Sequence, residues 1–364
     1  MGSKRFVAVA WAGAVGLGLA AAACGGSVVR PQTVPAPVAA PSTTLNVRLA
    51  NGSIASLALE EYVLASILAE IAPGGSDPDA AARVYEVQAI LARTYAIASL
   101  GRHARDGFDL CATTHCQLVD FDRAARSRWR PIAEVAIQAT RGRVLRFESA
   151  PVLALFHADC GGYRSAAGDI WGGRAQPYLN GGPDDLPDGS AHRSWQFRVD
   201  RARLREALAR DARTNPGARI DRIDVFSRDS AGRAALVLVA GEREPIVRGE
   251  EFRMVMARAF GVSAFPSSRF DVERDGDDFA FTGTGYGHGV GLCQRGAIAR
   301  AAAGASPEDI LAFYFPGTTL SNRLAPVRTL SNLLEPPRTL SNLVEPSRTI
   351  SNLIEPMSLH TPRY

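Results

Sequence analysis

Three groups of side chains in this sequence have types and spacings that can do chemistry. Glu70 closes the run Leu64-Ala65-Ser66-Ile67-Leu68-Ala69-Glu70, just before Pro73-Gly74-Gly75. A carboxylate at the C-terminal end of a helix meets the negative pole of the helix dipole, which raises its pKa. That suits a group that must hold a proton before a reaction, although most helix-end glutamates are solvated charges. The second group is Cys111-x4-Cys116, with His115 between and His103 upstream. Thiolates and imidazoles this close together fit a tetrahedral structural zinc, and the two cysteines alone fit a disulfide. The third is the glycine-dense stretch 283–291 with Tyr286 and His288, followed by Gln294. Glycines let a backbone approach a ligand closely, and imidazole and amide groups suit hydroxyl and acetamido recognition. Tyr286 can stack on a sugar face or simply pack, and His288 can equally be a turn histidine bonded to a neighbour. Arg93 is a further binding candidate, on a helical Arg-Thr-Tyr run that more often serves structure. His157 ends an apolar strand and reads as a core histidine, while His192 and His360 sit in no motif.

These side chains need elements to hold them. Leu45, Val47 and Leu49 alternate as in a strand, and Val63, Leu64, Ile67 and Leu68 fall on one face of a helix over 61–71. Asp77 with Pro78 starts a second helix running to about residue 100, burying Val84, Val87, Leu91, Tyr95 and Ala98. Pro131 opens a helix that Gly142 closes, and 144–147 and 152–156 read as strands. Between 183 and 279 the texture changes to helix, two strands, helix and strand, as expected of a subdomain inserted between the halves of a main domain. A helix follows the glycine turn to about residue 303, and another starts at Pro307, capped by Ser306. The class is α+β.

The chain ends carry a different kind of information. Lys4 and Arg5 precede an apolar run over 6–23 and then Cys24, the pattern of a secretory signal peptide. Ala21-Ala22-Ala23-Cys24 resembles a lipobox, which makes Cys24 a lipid acceptor; plain cleavage and an uncleaved membrane anchor are the alternatives. All three put the remainder outside the cytoplasm, membrane-anchored or secreted. Residues 25–44 form a proline-containing linker. From 319 to 364 the motif Thr-Leu-Ser-Asn (Ile at 350) returns every ten residues with Pro326, Pro336, Pro346 and Pro356 in phase, which forbids a long helix and reads as a disordered tail. The formal charge is +4, about +2 without Lys4 and Arg5, too little to argue for nucleic acid as a partner.

Four stretches taken in order resemble the family of the stage II sporulation protein D and the amidase enhancer LytB. They are Leu64 to Pro73 leading to Gln88-Ala89-Ile90-Leu91-Ala92-Arg93-Thr94-Tyr95-Ala96, then Asp109-Leu110-Cys111-Ala112-Thr113-Thr114-His115-Cys116-Gln117, then Phe156-His157-Ala158-Asp159-Cys160-Gly161-Gly162, and last Gly285-Tyr286-Gly287-His288-Gly289-Val290-Gly291-Leu292-Cys293-Gln294, closed by Phe313-Tyr314-Phe315-Pro316-Gly317-Thr318. The resemblance implies one such domain over 45–318 and an extracytoplasmic protein acting on peptidoglycan glycan strands. It implies Glu70 as the essential glutamate of a lytic transglycosylase, with a non-enzymatic helper of a cell-wall amidase as the alternative. One carboxyl group suffices for a transglycosylase, because the substrate's C6 hydroxyl is the nucleophile and closes a 1,6-anhydro ring. No cofactor is needed for that step; the resemblance permits a structural zinc near Cys111. It further places the third and fourth motifs in one groove, so that Cys160 and Cys293 are expected to pair as a disulfide. Two departures stand out: the interval from Glu70 to Gln88 is longer than the family's, and Cys293 stands where serine is common.

Overall fold

The computed structural model describes residues 43–75, 77–173 and 176–321. The signal segment with Cys24, the linker up to residue 42, and the tail beyond Ser321 with His360 lie outside the described residues. Nine helices are described: α1 (Leu59–Glu70), α2 (Pro78–Ala98), α3 (Phe121–Arg126), α4 (Arg130–Ala139), α5 (Ala167–Trp171), α6 (Arg201–Ala209), α7 (Gly249–Phe260), α8 (Gln294–Ala302) and α9 (Pro307–Tyr314). None of the described helices is long and apolar enough to cross a membrane. The strands form small separate sheets, so the class is α+β.

α2 is the spine. Asp77 caps it by accepting from the Asp79 and Ala80 N–H groups, Pro78 fits the first turn where no donor is needed, and most of its length is buried. It packs on α1, α4, α8 and α9, joining the two sequence halves of the main domain. Its core runs from Leu45 through Ile67, Ile90 and Val144 to Leu292, Tyr314 and Phe315. A three-stranded sheet closes one side: Thr44–Arg48 pairs antiparallel with Ile54–Ala58 and parallel with Leu110–Cys111, which sets Cys111 opposite Arg48.

A second core lies between these halves in sequence. Trp195, Phe252, Phe265, Phe270, Phe279 and Phe281 pack with Val237 and Val239. Their frame is two antiparallel sheets, one of Ile220–Arg228, Ala234–Gly241 and Ile246–Arg248, the other of Phe270–Asp275, Asp278–Thr284 and Ser194–Asp200. Several ring pairs are edge-to-face, with centroids 5.0–5.8 Å apart for Phe265 against Trp195, Phe252, Phe270 and Phe281, a geometry that adds to simple area burial.

Three expectations need correction. Residues 152–155 are not a strand: the Val152 N–H bonds to Leu145, that of Leu153 to the Tyr178 hydroxyl, and that of Leu155 to Leu153, so only Phe156–His157 pairs, parallel to Leu292–Cys293. The tail begins later than residue 319, because Thr319–Ser321 adds an antiparallel strand to Val144–Phe147 and satisfies that edge. Arg93 is not a substrate contact. Its side chain is wholly buried, its fork gripping Glu60 at 2.9 and 2.7 Å and its third nitrogen donating to the Arg143 carbonyl at 3.2 Å.

That clamp ties the first turn of α1 to α2. Arg93→Met should therefore strand a half-buried Glu60 carboxylate and cost about 3 kcal/mol, the scale for breaking a buried pair on one side. Chemical denaturation checks this, and a loss below about 1 kcal/mol would contradict the clamp's structural role.

Candidate functional site

Tyr62, Ser66 and Glu70 follow one another at four-residue intervals along one face of α1. Glu70 ends the helix, and its Oε1 accepts the Leu118 N–H at 2.7 Å. The loop that supplies this donor is fixed next door, where the Tyr62 hydroxyl donates to Gln117 Oε1 at 3.0 Å. Burial pushes the Glu70 carboxyl above its ordinary range, opposed by the Leu118 bond and by the positive field of Arg123. No basic residue sits in the last turn of α1 to offset the helix dipole. Among the described residues no other carboxylate contributes to this shift.

The cysteine loop leads directly into this donor. Cys111 and Cys116 share a hydrogen bond at 3.2 Å between sulfurs, and they are free thiols rather than a disulfide. His103 Nε2 lies 3.3 Å from Cys116 Sγ, and His115 Nδ1 lies 3.5 and 3.7 Å from the two sulfurs. The four ligand atoms lie within 4.8 Å of one another. A tetrahedral zinc with bonds of about 2.0–2.3 Å would hold its ligand atoms roughly 3.3–3.8 Å apart, so the set fits that ion. His103 also faces Asp106 through Nδ1 at 3.6 Å, the kind of outer carboxylate that orients a metal-bound imidazole. The hydrogen bond between the thiols pushes the Cys111 thiol down and the Cys116 thiol up.

The glycine turn forms a second constellation. It zips onto the Cys160 loop by reciprocal Asp159 and Tyr286 backbone bonds at 3.0 and 2.8 Å, and the Ser165 N–H reaches the Gly289 carbonyl at 2.8 Å. Gly289 has φ +81°, and a Cβ there would sit 2.4 Å from Arg233 Nε, so glycine is required both by backbone angle and by space. His288 packs between Trp171 and His157, with ring centroids 5.1 and 5.5 Å away. Its Nδ1 accepts the Val290 N–H at 3.1 Å, and burial pushes its pKa down to about 4, leaving the imidazole neutral at pH 7. Tyr286 lies half-exposed beneath the Arg193 guanidinium at 5.1 Å. Gln294 is buried at the first position of α8, and its Nε2 has no partner among the described residues. His157 is a buried core histidine, its Nδ1 bonded to the Val290 carbonyl at 3.1 Å.

The expected Cys160–Cys293 bridge is not formed. The motifs do bring the two residues together, but the Cys160 N–H donates to Cys293 Sγ at 3.3 Å, and the Cys160 thiol bonds to Asp184 at 3.4 Å instead. Two residues that sequence reasoning left without a role organise this region. His192 bonds Asp159 at 2.6 Å and the Asp184 carbonyl at 3.0 Å. Arg233, fully buried in the second core's sheet, reaches the Gly287 carbonyl at 2.9 Å and the Cys160 carbonyl at 3.2 Å. Neither partner lies near in sequence, so no local spacing could have announced them. Among the described residues no hydrogen bond or ion pair joins Glu70 to the glycine turn.

Residues 50–147, which hold Glu70, Arg93 and the cysteine–histidine cluster, match the family model described as stage II sporulation protein, SpoIID. Residues 185–291, which hold the second core, match a domain of unknown function (DUF8618). The SpoIID match takes in the first two of the four motifs, while the third and fourth lie outside it. The chain is 27% identical to the amidase enhancer of Bacillus subtilis over 65% of its own length, but spans only 38% of that protein's length. It is 25% identical to stage II sporulation protein D of the same organism, over 75% of this chain and 77% of that one. An uncharacterized protein of Brachyspira hyodysenteriae is 26% identical over 72% and 67% of the two chains.

A raised carboxyl pKa has a fixed sign for stability. Between its unfolded and its higher folded pKa, Glu70 holds a proton only in the native state, so stability falls as pH rises through that window and stays lowered above it. Glu70→Gln keeps an oxygen for the Leu118 N–H and removes the ionisation. The variant should gain stability relative to wild type as pH rises from the ordinary glutamate range through the raised folded pKa of Glu70, read as a widening gap in thermal midpoint. Parallel curves would contradict the buried-acid assignment.

Proposed function

We propose that this protein acts in the cell wall and cleaves peptidoglycan glycan strands as a lytic transglycosylase, with Glu70 as the sole acid and base. The observation that supports this reading is the Glu70 carboxyl, its pKa raised by burial and its Oε1 oriented by the Leu118 N–H. Glu70 would donate its proton to the oxygen bridging N-acetylmuramic acid to N-acetylglucosamine as that bond breaks. The resulting carboxylate would accept the C6 hydroxyl proton while O6 closes on C1, giving a 1,6-anhydro end and regenerating the acid. A water-using glycosidase normally needs two carboxyl groups about 5–9.5 Å apart. The SpoIID match and the relatives named stage II sporulation protein D support a wall substrate.

In this reading zinc is structural. Held by Cys111, Cys116, His103 and His115, it would supply cross-linking and no reaction step. Its effect on the chemistry would come through Gln117 and Leu118, which the bound loop presents to Tyr62 and Glu70. The protein would work outside the cytoplasm, tethered through Cys24 or secreted. A second reading, a non-enzymatic glycan-binding partner of a cell-wall amidase, is favoured by the similarity to the amidase enhancer.

The two readings separate on Glu70→Gln. With peptide-free glycan strands, the variant should release anhydro-ended products about 10²–10⁴-fold more slowly than wild type while binding strands equally well. As a general acid, Glu70 should also set the alkaline limb of kcat/KM above the ordinary carboxylate range, activity falling as pH rises through its raised pKa. Wild-type product release by the variant would defeat the enzyme reading. For zinc, elemental analysis should find about one ion per chain in wild type and in Glu70→Gln, and none in Cys111→Ser. A metal-free wild type with full activity would remove the zinc.

A further inference from the structure

The second core carries an open cavity of about 470 Å³ whose walls include Arg228, Arg269, Asp271, Thr282, Gly283 and Thr284. Its size is that of a small-ligand site, and its lining mixes apolar surface with the Thr282 and Thr284 hydroxyls of one strand and the Arg228 and Arg269 guanidiniums. The two arginines are in different electrostatic states. Arg228 is spent: it bonds Asp271 at 2.5 Å, the Phe270 carbonyl at 3.0 Å and the Gly232 carbonyl at 2.9 Å. Arg269 has no carboxylate partner among the described residues; its side chain donates only to the Gly161 carbonyl. A guanidinium left without an anion in a cleft retains donors and a full charge for a ligand.

The cavity adjoins the glycine turn. Thr284 ends the strand that enters the turn, two residues before Tyr286, and its N–H bonds the Arg269 carbonyl at 3.1 Å. Gly161 stands so close that a Cβ on it would come 2.9 Å from the Thr284 hydroxyl, and a Cβ on Gly162 would lie 3.7 Å from Arg269 Nη1. A Cβ on Gly283 would meet the Trp195 ring at 2.5 Å. Glycine at 161 lets this loop close against Thr284, and the loop's Gly161 carbonyl accepts from the Arg269 side chain.

We propose that this cavity is a carboxylate-binding subsite, in which Arg269 pairs with a carboxylate carried by the glycan strand while the Thr282 and Thr284 hydroxyls bond its neighbouring polar groups. This rests on the glycan-strand reading and assigns the inserted domain a part in substrate recognition. A single uncompensated guanidinium matches a monoanion, which a peptide-free muramic residue offers as its lactyl carboxylate and a peptide-bearing one, whose lactyl carboxyl is an amide, offers as the C-terminal carboxylate of the stem peptide.

The test follows the Arg269 side-chain Nε resonance in ¹⁵N-labelled full-length protein, assigned by its loss in Arg269→Gln. The probes are N-acetylmuramic acid and N-acetyl-D-alanyl-D-alanine, each compared with its methyl ester. One acid should shift the Arg269 signal and its ester should not, and which acid does so names the source of the carboxylate. Thr282→Val, on an exposed strand position that leaves the fold intact, should weaken that acid's binding several-fold. A signal unmoved by both acids, or moved equally by acid and ester, would overturn the subsite. The outcome is separable from the cleavage reading: an acid-specific shift in a protein that releases no anhydro products would keep the subsite and discard the transglycosylase.

Discussion

The bond from the Leu118 N–H to the Glu70 carboxyl is where the architecture and the proposed chemistry meet. A carboxyl group taken out of water prefers to keep its proton, and a backbone donor opposes that preference only in part. Burial alone would leave the acid unoriented, and stronger pairing, such as the grip of Arg93 on Glu60, would hold it ionised. Glu70 sits between these extremes because the last turn of α1 carries no basic residue, because Arg123 acts on it only through its field, and because the 116–118 loop presents one N–H. That loop is held by Tyr62 on one side and by the cysteine–histidine cluster on the other. The cluster matters to the site because it fixes a donor two residues away.

A second constraint acts on the other constellation. Arg233 is fully buried, and burial pushes its pKa down to about 10, well below the usual guanidinium range. Its two terminal nitrogens are held by the Gly287 and Cys160 carbonyls and the Ser267 hydroxyl, at 2.9, 3.2 and 3.1 Å. The inserted domain therefore braces the glycine turn, and the glycine at 289 is the space that this brace occupies. His288, neutral and packed between Trp171 and His157, is shaped by this packing as much as by any ligand.

Much of the frame was legible because local physics decided it. The Asp77 cap with Pro78, the Ser306 cap and the Pro73-Gly74-Gly75 stop are signals written within one helical turn, and the helices begin and end beside them. The strand reading of 152–156 failed because an apolar alternation states burial, whereas a strand needs a partner, and the backbone there bonds to Leu145, Leu153 and Tyr178 instead. Arg93 was misread since a motif gives an identity and a spacing, while the Glu60 carboxylate that claims it lies 33 residues away. His192 and Arg233 stayed invisible for the same reason, each being defined by partners that only the folded chain supplies. The cysteines at 160 and 293 were rightly placed side by side, but Asp184, a buried acceptor, takes the Cys160 thiol.

If one carboxyl group completes the reaction without water, the chemical form of the product records it. Purified full-length protein should be incubated with peptide-free glycan strands, and the newly formed muramyl ends analysed by mass spectrometry before and after borohydride treatment. A single-carboxyl transglycosylase should leave ends lighter than a free sugar by one water and inert to borohydride, as a 1,6-anhydro ring requires. Reducible ends carrying the full mass of a free muramic residue would mean that water was the nucleophile, and would contradict this reading.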